Sequence, residues 1–353
     1  TKLFKKFGHR RSWIIAMQLQ IIISLIVLSF INPLTNLLVF AFFALNIAFA
    51  GSIQDIAIDA YRIESAKLED QGNLAAGYQF GYRIAIRVGS SFAWFYAENF
   101  SWSLTYQLMA LLMALNILVT VYISSEKSNP DLAILNYKHS LLEPTKDFLE
   151  RFGLKIASIL ILIIATYRLT DIVMGPMANP FYIDMGYSLS EIGYVVKIVA
   201  LAATIIGVFI GGIFVKRLGL YKSLLIGAFL VMLTNLSFSY AAINEKNLVL
   251  LASIVASDSL AAGIVGTVNI TFLTSLVSSK YTGFQYALLT SLMAFLGKLF
   301  GGFSGVFVES FQNLYGFSYG WMSFYIFTSC LAIPSMLMIY FNKSIFMQTN
   351  ANK

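Results

Sequence analysis

The apolar positions of the chain fall into long runs separated by short polar segments. A helix needs roughly 20 mostly apolar residues to cross a hydrocarbon core about 30 Å thick. Ten runs reach this length, at about 12–31, 35–58, 73–96, 102–123, 154–181, 189–213, 222–242, 247–277, 281–308 and 319–341. The runs do not alternate between apolar and polar residues, as the strands of a membrane barrel would. The pattern therefore predicts ten membrane-spanning helices.

Composition agrees with an all-α, polytopic membrane bundle. Of the 353 residues, 58% are hydrophobic and 12% are charged, which is about half the charged fraction of a soluble domain. One cysteine and two histidines allow neither an internal disulfide nor a Cys/His metal cluster. The net charge of +7 comes from cations spread over the loops between spans, so it indicates membrane topology and no nucleic-acid partner.

Several side-chain placements follow from the predicted spans. Cys330 lies in an apolar run and is expected to be a small buried side chain. Four tyrosines near outer span ends are expected to form an aromatic belt: Tyr182, Tyr187, Tyr315 and Tyr319. Two glycine repeats at helical spacing predict close contact between helices: Gly207-x3-Gly211 and Gly297-x3-Gly301-x3-Gly305.

Lysine and arginine collect on one side of the predicted membrane. With successive loops assigned to opposite sides, eighteen of the 24 cations fall in one set of loops and only Lys246 falls in the other. The remaining five lie inside spans. Because cytoplasmic loops carry the excess of Lys and Arg, both termini of the chain are predicted to be cytoplasmic.

The segment 124–152 is the one long polar stretch, and it separates four spans from six. We predict an amino-terminal half bundle at 1–123, a partly helical cytoplasmic linker at 124–152 and a carboxy-terminal half bundle at 153–353. Two short repeats support a duplication: KKFGHRRS at 5–12 aligns with KRLGLYKS at 216–223, and GYQF at 77–80 aligns with GFQY at 283–286.

Paired six-helix halves with a cytoplasmic linker resemble the major facilitator architecture. The loop at 216–222 follows the second helix of its half, and its counterpart is the start of the chain. We therefore expect the first two helices of the usual twelve to be absent from this chain.

Seven charged residues fall deep inside predicted spans, where a charge costs about 2.5–3.5 kcal/mol on insertion scales. The cations are Arg83, Arg87, Arg168, Lys197 and Lys298, and the carboxylates are Asp171 and Asp258. This excess of positive charge predicts a cavity for an anionic solute, bound by Arg83, Asp258, Lys298 and Lys197. Alternatively, Lys197 and Lys298 extend to the outer headgroups, and Arg168 and Asp171 form only an ion pair within their helix.

A second group of charges is expected to act in gating and proton coupling. Asp55 and Asp59 share a helix face at a cytoplasmic span end, so they are predicted gate partners of the basic loop at Arg10 and Arg11. A carboxylate in a low-dielectric site can gain and lose a proton as a nearby cation moves. This makes Asp171, beside Arg168, and Asp258 the predicted proton carriers.

The stretch QDIAIDAYR at 54–62 resembles a motif of the AmpG family of muropeptide permeases, where a QDxxxDA-aromatic-basic sequence ends the fourth helix. Further segments of the chain are similar to motifs of this family in the same order, and together they extend over essentially its whole length: 8–13, 81–83, 167–171, 191–197, 284–289 and 320–325.

The resemblance implies import of anhydro-muropeptides from periplasm to cytoplasm across the bacterial inner membrane. These solutes are small sugar–peptide fragments with free carboxylates. The family implies a proton gradient as the driving force, no cofactor, and contact with protons and membrane lipid as the other partners.

Three other functions are weighed against transport of this solute. The chain could carry a different anionic solute, or it could be a transport-incompetent remnant because two helices are expected to be absent. An intramembrane transferase is the third, and the lack of histidine within the predicted spans counts against an enzyme.

Overall fold

The computed structural model of the protein describes residues 8–122 and 137–346, and all regular structure in these residues is helical. The α-helices are α1 His9–Ser29, α2 Leu37–Glu64, α3 Gln71–Arg87, α4 Ala93–Asn99, α5 Trp102–Tyr122, α6 Tyr137–Tyr167, α7 Leu169–Met174, α8 Ala178–Asp184, α9 Leu189–Tyr194, α10 Ala200–Ala242, α11 Leu248–Leu276, α12 Thr282–Gly301, α13 Ser304–Tyr315, α14 Phe317–Cys330 and α15 Ala332–Phe341. Short 3₁₀ or π-helical turns adjoin them at Leu68–Asp70, Val88–Phe92, Gly175–Met177 and Val195–Val199. The predicted all-α fold class is confirmed.

Eight helical stretches in the described residues are long and apolar enough to cross a membrane. One of them, Ala200–Ala242, takes in most of the predicted span 189–213 and all of 222–242. The predicted span 73–96 corresponds to α3, the π-helical turn and α4, and is not among the eight. The number of ten spans stays a prediction.

The predicted linker at 124–152 is described only from residue 137 onward. Residues 137–152 belong to α6, so this part of the linker is helical as predicted, and residues 124–136 lie outside the described residues. The backbone of α6 leaves helical geometry at Gly153, with φ 70° and ψ 156°.

The first sequence repeat gives the same local turn at both of its copies. Gly8 precedes α1 with φ 84° and ψ 173°, and Gly219 interrupts α10 with φ 78° and ψ 164°. This region of backbone space is essentially restricted to glycine. A serine one turn later closes each turn: Ser12 Oγ donates to Gly8 O at 2.6 Å, and Ser223 Oγ donates to Gly219 O at 2.7 Å.

The chain folds into two compact units. Among the described residues, the first unit takes 8–67, 82–122, 137–144 and 279–286, and the second takes 68–81, 145–278 and 287–346. In the first unit, α1 packs against α2 and α5. Its apolar contacts centre on Met17, Ile21 and Ala50.

Close helix contacts at glycine organise the second unit, as the glycine repeats predict. A methyl group on Gly207 of α10 would overlap the carbonyl oxygen of Leu260 in α11, and one on Gly211 would lie 2.9 Å from Ile264 O. On α12, a methyl group on Gly301 would lie 2.9 Å from the carbonyl oxygen of Ile172 in α7. Backbones therefore meet without intervening side chains at both repeats.

A cluster of aromatic side chains fills the rest of the second unit. Five of these side chains are at most 1% exposed: Phe181, Phe238, Trp321, Phe324 and Tyr325. They come from α8, α10 and α14. Trp321 Nε1 donates to Asp184 Oδ2 at 2.9 Å, so the indole nitrogen also has a partner.

Two of the predicted placements are wrong. Cys330 is exposed, because an apolar position on a spanning helix can face lipid as well as protein. Tyr182 and Tyr187 are buried at 5% and 8% exposure, whereas Tyr315 and Tyr319 are exposed. Tyr182 packs within 6.4 Å of the Phe238 ring, measured between centroids, so it belongs to the aromatic core and not to a belt.

The contact of α10 with α11 gives a first prediction. Gly207→Ala should destabilise the folded state by about 1–3 kcal/mol, because the added methyl group forces the two helices apart. Gly51→Ala is the matched control, since a methyl group there meets nothing within 4 Å and alanine favours a helix by up to about 1 kcal/mol. Thermal unfolding in detergent measures both; equal melting temperatures for the two variants would contradict the close contact.

Candidate functional site

A cluster of charges lies at the carboxyl-terminal end of α2 and is called here the α2-end cluster, defined as Arg10, Asp59, Arg62 and Glu64. Arg62 Nη2 lies 3.5 Å from Asp59 Oδ1, one turn away on the same helix. The side chains of Arg62 and Asp59 are only 6% and 15% exposed. Asp55 precedes Asp59 by one turn, on the same helix face, and is exposed.

Arg10 joins α1 to the end of α2. Its Nη2 lies 2.9 Å from Glu64 Oε1 and its Nε lies 3.3 Å from Glu64 Oε2, so the guanidinium holds the carboxylate with two parallel hydrogen bonds. This bidentate geometry fixes direction as well as distance. The predicted gate residue Arg10 is therefore paired with Glu64.

Residues 279–286, at the start of α12, dock on the α2-end cluster within the first unit. Thr282 Oγ1 donates to Glu64 Oε1 at 2.5 Å, and the Arg62 guanidinium lies 5.3 Å from the ring centroid of Tyr286. A methyl group on Gly283 would lie 3.4 Å from Ala60 Cβ. Glycine thus lets the backbone of this segment approach α2.

A second set of contacts ties this segment to the start of the helix that ends the predicted linker. Gln285 Nε2 donates to Pro144 O at 2.7 Å, and Tyr281 Oη donates to Glu143 Oε2 at 3.2 Å. Gln285 is 2% exposed, so its amide is buried with a partner. The segment is held from two sides by polar contacts.

Arg11, the other predicted gate cation, has a structural contact in the first unit. Its Nε donates to Thr120 O at 3.1 Å, and its Nη2 donates to Val121 O, so it satisfies carbonyls in the last turn of α5. Arg11 is 7% exposed. A cation at a helix carboxyl terminus is also favoured by the helix dipole. Its role in gating stays a prediction.

Three predicted site residues of the second unit lie near its aromatic core. Asp258 of α11 accepts a hydrogen bond from Thr234 Oγ1 at 3.0 Å. Arg168 Nε pairs with Asp171 Oδ2 at 3.1 Å, so the predicted ion pair is present. Arg168 has φ −101° and ψ 5° and stands where the helix breaks before α7.

The structure describes the side chains of two of the three remaining predicted solute ligands. Arg83 is partly buried in the first unit, and Lys298 is exposed in the last turn of α12 in the second unit. The side chain of Lys197 lies outside the described residues. A single cavity lined by Arg83, Asp258, Lys298 and Lys197 therefore stays a prediction.

Comparison with known proteins identifies the family. The model of the Major Facilitator Superfamily matches residues 1–302. "Putative transporter AmpG 4" of Rickettsia felis is 30% identical over 348 residues, which cover 96% of this chain and 81% of the relative. "Anhydromuropeptide permease" of Escherichia coli is 30% identical over 349 residues, which cover 98% of this chain and 68% of the relative. The chain belongs to the AmpG family of the major facilitator superfamily.

Solved structures agree on the fold of this AmpG family member. A proton:xylose symporter, XylE, superposes with a TM-score of 0.72 at 14% identity, over 97% of this chain and 81% of the symporter. The fucose:proton symporter FucP of Escherichia coli gives a TM-score of 0.66 at 14% identity, over 96% of this chain and 85% of the symporter. Family membership places the chain among membrane transporters and sets the transferase alternative aside.

Several residues of these sites were not predicted from the sequence of this AmpG family member. In the first unit they are Arg62, Glu64, Thr282 and Tyr286; in the second they are Thr234 and Tyr325. Arg62 is the last residue of the QDIAIDAYR motif, and Tyr286 is the last residue of the repeat at 283–286. The sequence therefore carried a signal that could have pointed to both residues. Tyr325 ends the family-like segment 320–325, so it also carried a signal, whereas Thr234 carried none, because single hydroxyl groups in apolar spans are common.

The docking of residues 279–286 gives a second prediction. Cysteines introduced by Ala60→Cys and Gly283→Cys, in a Cys330→Ser background, should form a disulfide on mild oxidation, because a Cβ at 283 would lie 3.4 Å from Ala60 Cβ and disulfides need about 3.5–4.5 Å. Protection of both thiols from a maleimide-polymer mass tag measures the bond. The control pair is Gly51→Cys with Gly283→Cys, on the same two helices. Equal tagging of the two pairs would refute the contact.

Proposed function

We propose that the chain is a secondary active transporter that imports anhydro-muropeptides, or closely related anionic sugar–peptides, from periplasm to cytoplasm. Membership of the AmpG family carries this proposal, because a relative of similar sequence over 98% of the chain is an anhydromuropeptide permease. The proton gradient across the bacterial inner membrane is the proposed driving force. The proton:sugar symporters of the same fold agree with this coupling but share too little sequence to carry it.

The proposed orientation has both termini in the cytoplasm. The distribution of eighteen cations against one supports it, since Lys and Arg are retained on the cytoplasmic side. The α2-end cluster then lies at the cytoplasmic end of its span. A closure at this end would prevent release of solute into the cytoplasm until it opens.

The contacts of the α2-end cluster suit a closure that opens in each cycle. Partly exposed ion pairs contribute about 0–1 kcal/mol each, and hydrogen bonds to charged groups about 1.5–3 kcal/mol. Arg10, Glu64 and Thr282 form one such group, and Arg62 with Tyr286 another. The described contacts between residues 279–286 and the α2-end cluster are of this size and can be broken at each turnover. Asp59 of the same cluster is proposed to take part in this gate, and Asp55 and Arg11 are proposed as further members.

The solute is proposed to bind through its carboxylates. Arg83, Lys298 and Lys197 are the proposed cationic ligands, because cationic side chains give a solute carboxylate charge-assisted hydrogen bonds. Asp171, paired with Arg168 in the described structure, is proposed to take part in proton coupling. A guanidinium gives a carboxylate two directed hydrogen bonds, which a lysine cannot reproduce.

Vesicle uptake tests the function directly. Labelled anhydro-muropeptide should accumulate above its external concentration when an inward proton gradient is imposed, and a protonophore should abolish the accumulation. Exchange of labelled for unlabelled solute should persist without a gradient, because alternating access alone supports it. A neutral disaccharide of similar size serves as the control solute. Accumulation that is indifferent to the gradient would refute proton coupling, and the absence of both uptake and exchange would refute the proposed solute.

Substitution of the cations tests the solute site. Arg83→Gln and Lys298→Gln should each weaken solute affinity about 10- to 100-fold, the effect of losing one charge-assisted hydrogen bond. Arg83→Lys should lose part of this affinity. The half-saturation concentration for uptake measures the effect, and Lys155→Gln, which removes an exposed charge from α6, is the control. Affinities equal to that of the control would remove Arg83 and Lys298 from the solute site.

A further inference from the structure

One partly buried carboxyl group in the second unit, that of Asp258, has a hydrogen-bond partner for either of its protonation states. Thr234 Oγ1 lies 3.0 Å from Asp258 Oδ1 and 3.1 Å from Val231 O. A threonine hydroxyl has one proton to donate and can also accept. When Asp258 is ionised, Thr234 donates to it. When Asp258 is neutral, it can donate to Thr234, which turns its own proton to the carbonyl of Val231.

A second hydroxyl near Asp258 is buried without a hydrogen-bond partner in the described residues. Tyr325 is 0% exposed, and its Oη has no partner there. The Tyr325 ring is held by aromatic neighbours, with centroids 5.0 Å from Phe181 and 5.1 Å from Phe238. Aromatic packing therefore fixes the position of a hydroxyl that lacks a partner. Leaving such a group unpaired in a folded interior is costly, so it calls for an explanation.

The charged and titratable groups around Asp258 come from several helices. Tyr325 of α14 and Tyr182 of α8 lie within electrostatic range of the carboxyl group. Asp171 of α7 does as well, and Asp171 is itself paired with Arg168. Arg168 is thus the one positively charged residue described in this set, and it is already paired with Asp171. Asp258 has hydroxyl groups for neighbours and no cation of its own among the described residues.

We propose that Asp258, Thr234 and Tyr325 form the site at which the coupling proton binds, at the edge of the aromatic core of the second unit. The sequence placed Asp258 among both the solute ligands and the proton carriers, and the contacts favour the second role. One proton adds to a carboxylate oxygen of Asp258 from the proton-rich side and later leaves to the other side; no other bond changes. The Thr234 hydroxyl group can hydrogen-bond to either the ionised or the neutral carboxyl group of Asp258. The Tyr325 hydroxyl group is proposed as an additional hydrogen-bond donor to the ionised form. This inference rests on the proposed proton-coupled transport.

The site can be tested without any solute. Infrared difference spectra of the full chain in lipid vesicles, recorded between mildly acidic and mildly alkaline pH, should contain the signal of a protonated carboxyl group that disappears as the pH rises. Asp258→Asn should remove this signal, and Glu309→Gln, which changes an exposed carboxylate of α13, should keep it. A signal that survives Asp258→Asn would overturn the proposal.

Two hydroxyl variants separate this role from a structural one. Tyr325→Phe keeps the ring and removes only the unpaired hydroxyl, so the protein should melt at the same temperature or higher while the midpoint of the carboxyl titration moves. Thr234→Val should also move the midpoint. Midpoints unchanged in both variants would overturn the assignment of these hydroxyls. Sodium added at constant pH should have no effect, and loss of the signal with sodium would identify a bound metal cation in place of a proton.

Transport assays then distinguish failure of this site from failure of the proposed function. In Asp258→Asn, gradient-driven accumulation should fall at least tenfold below that of the unsubstituted protein, while solute exchange persists. In Glu309→Gln, both accumulation and exchange should be unchanged. Full accumulation by Asp258→Asn would refute the proton site and leave the transport proposal standing. A titrating Asp258 in a protein that neither takes up nor exchanges anhydro-muropeptide would refute the solute and leave the proton site standing.

Discussion

The hydrocarbon core of a membrane offers polar groups no hydrogen-bond partner, and the structure follows from this constraint. Backbone groups are satisfied within helices, and side-chain polar groups must find partners inside the protein. Tyr167 does so in the second unit, where its Oη donates to Leu224 O at 3.2 Å. Because lipid is as apolar as a leucine side chain, apolar area alone does little to specify which helices pair. Polar contacts and close glycine contacts take over that role.

These two kinds of contact serve different purposes. Where α10 meets α11, Gly207 and Gly211 bring backbones together over an extended surface, and separating the helices would expose many atoms at once. Around the α2-end cluster, residues 279–286 are held by a few charged and hydroxyl groups. The first arrangement suits a rigid body and the second suits a contact that forms and breaks. A transporter that alternates between two states needs both.

The proposed gate and the proposed proton site use polar groups in opposite ways. In the α2-end cluster, Arg10 and Glu64 neutralise each other, so the cluster is stable while it is closed. Around Asp258 the neighbours are hydroxyl groups, which can reorient to suit either state of the carboxyl group. Pairing with a cation would strongly favour the ionised carboxylate, whereas hydroxyl neighbours leave both the ionised and the neutral form accessible.

The sequence by itself determined the membrane class, the all-α fold, the close helix contacts at the two glycine repeats, and the family. These features depend on local pattern, since span length, backbone conformation and helical spacing are set by neighbours along the chain. Only the tertiary structure decided that Glu64 meets Thr282, 218 residues away, that Tyr182 is buried, that Cys330 is exposed and that the hydroxyl group of Tyr325 is buried in the aromatic core. An apolar span does not reveal which of its faces meets protein and which meets lipid, and a polar side chain does not reveal which distant residue will satisfy it. Those choices depend on how helices pack, and no local pattern encodes that packing.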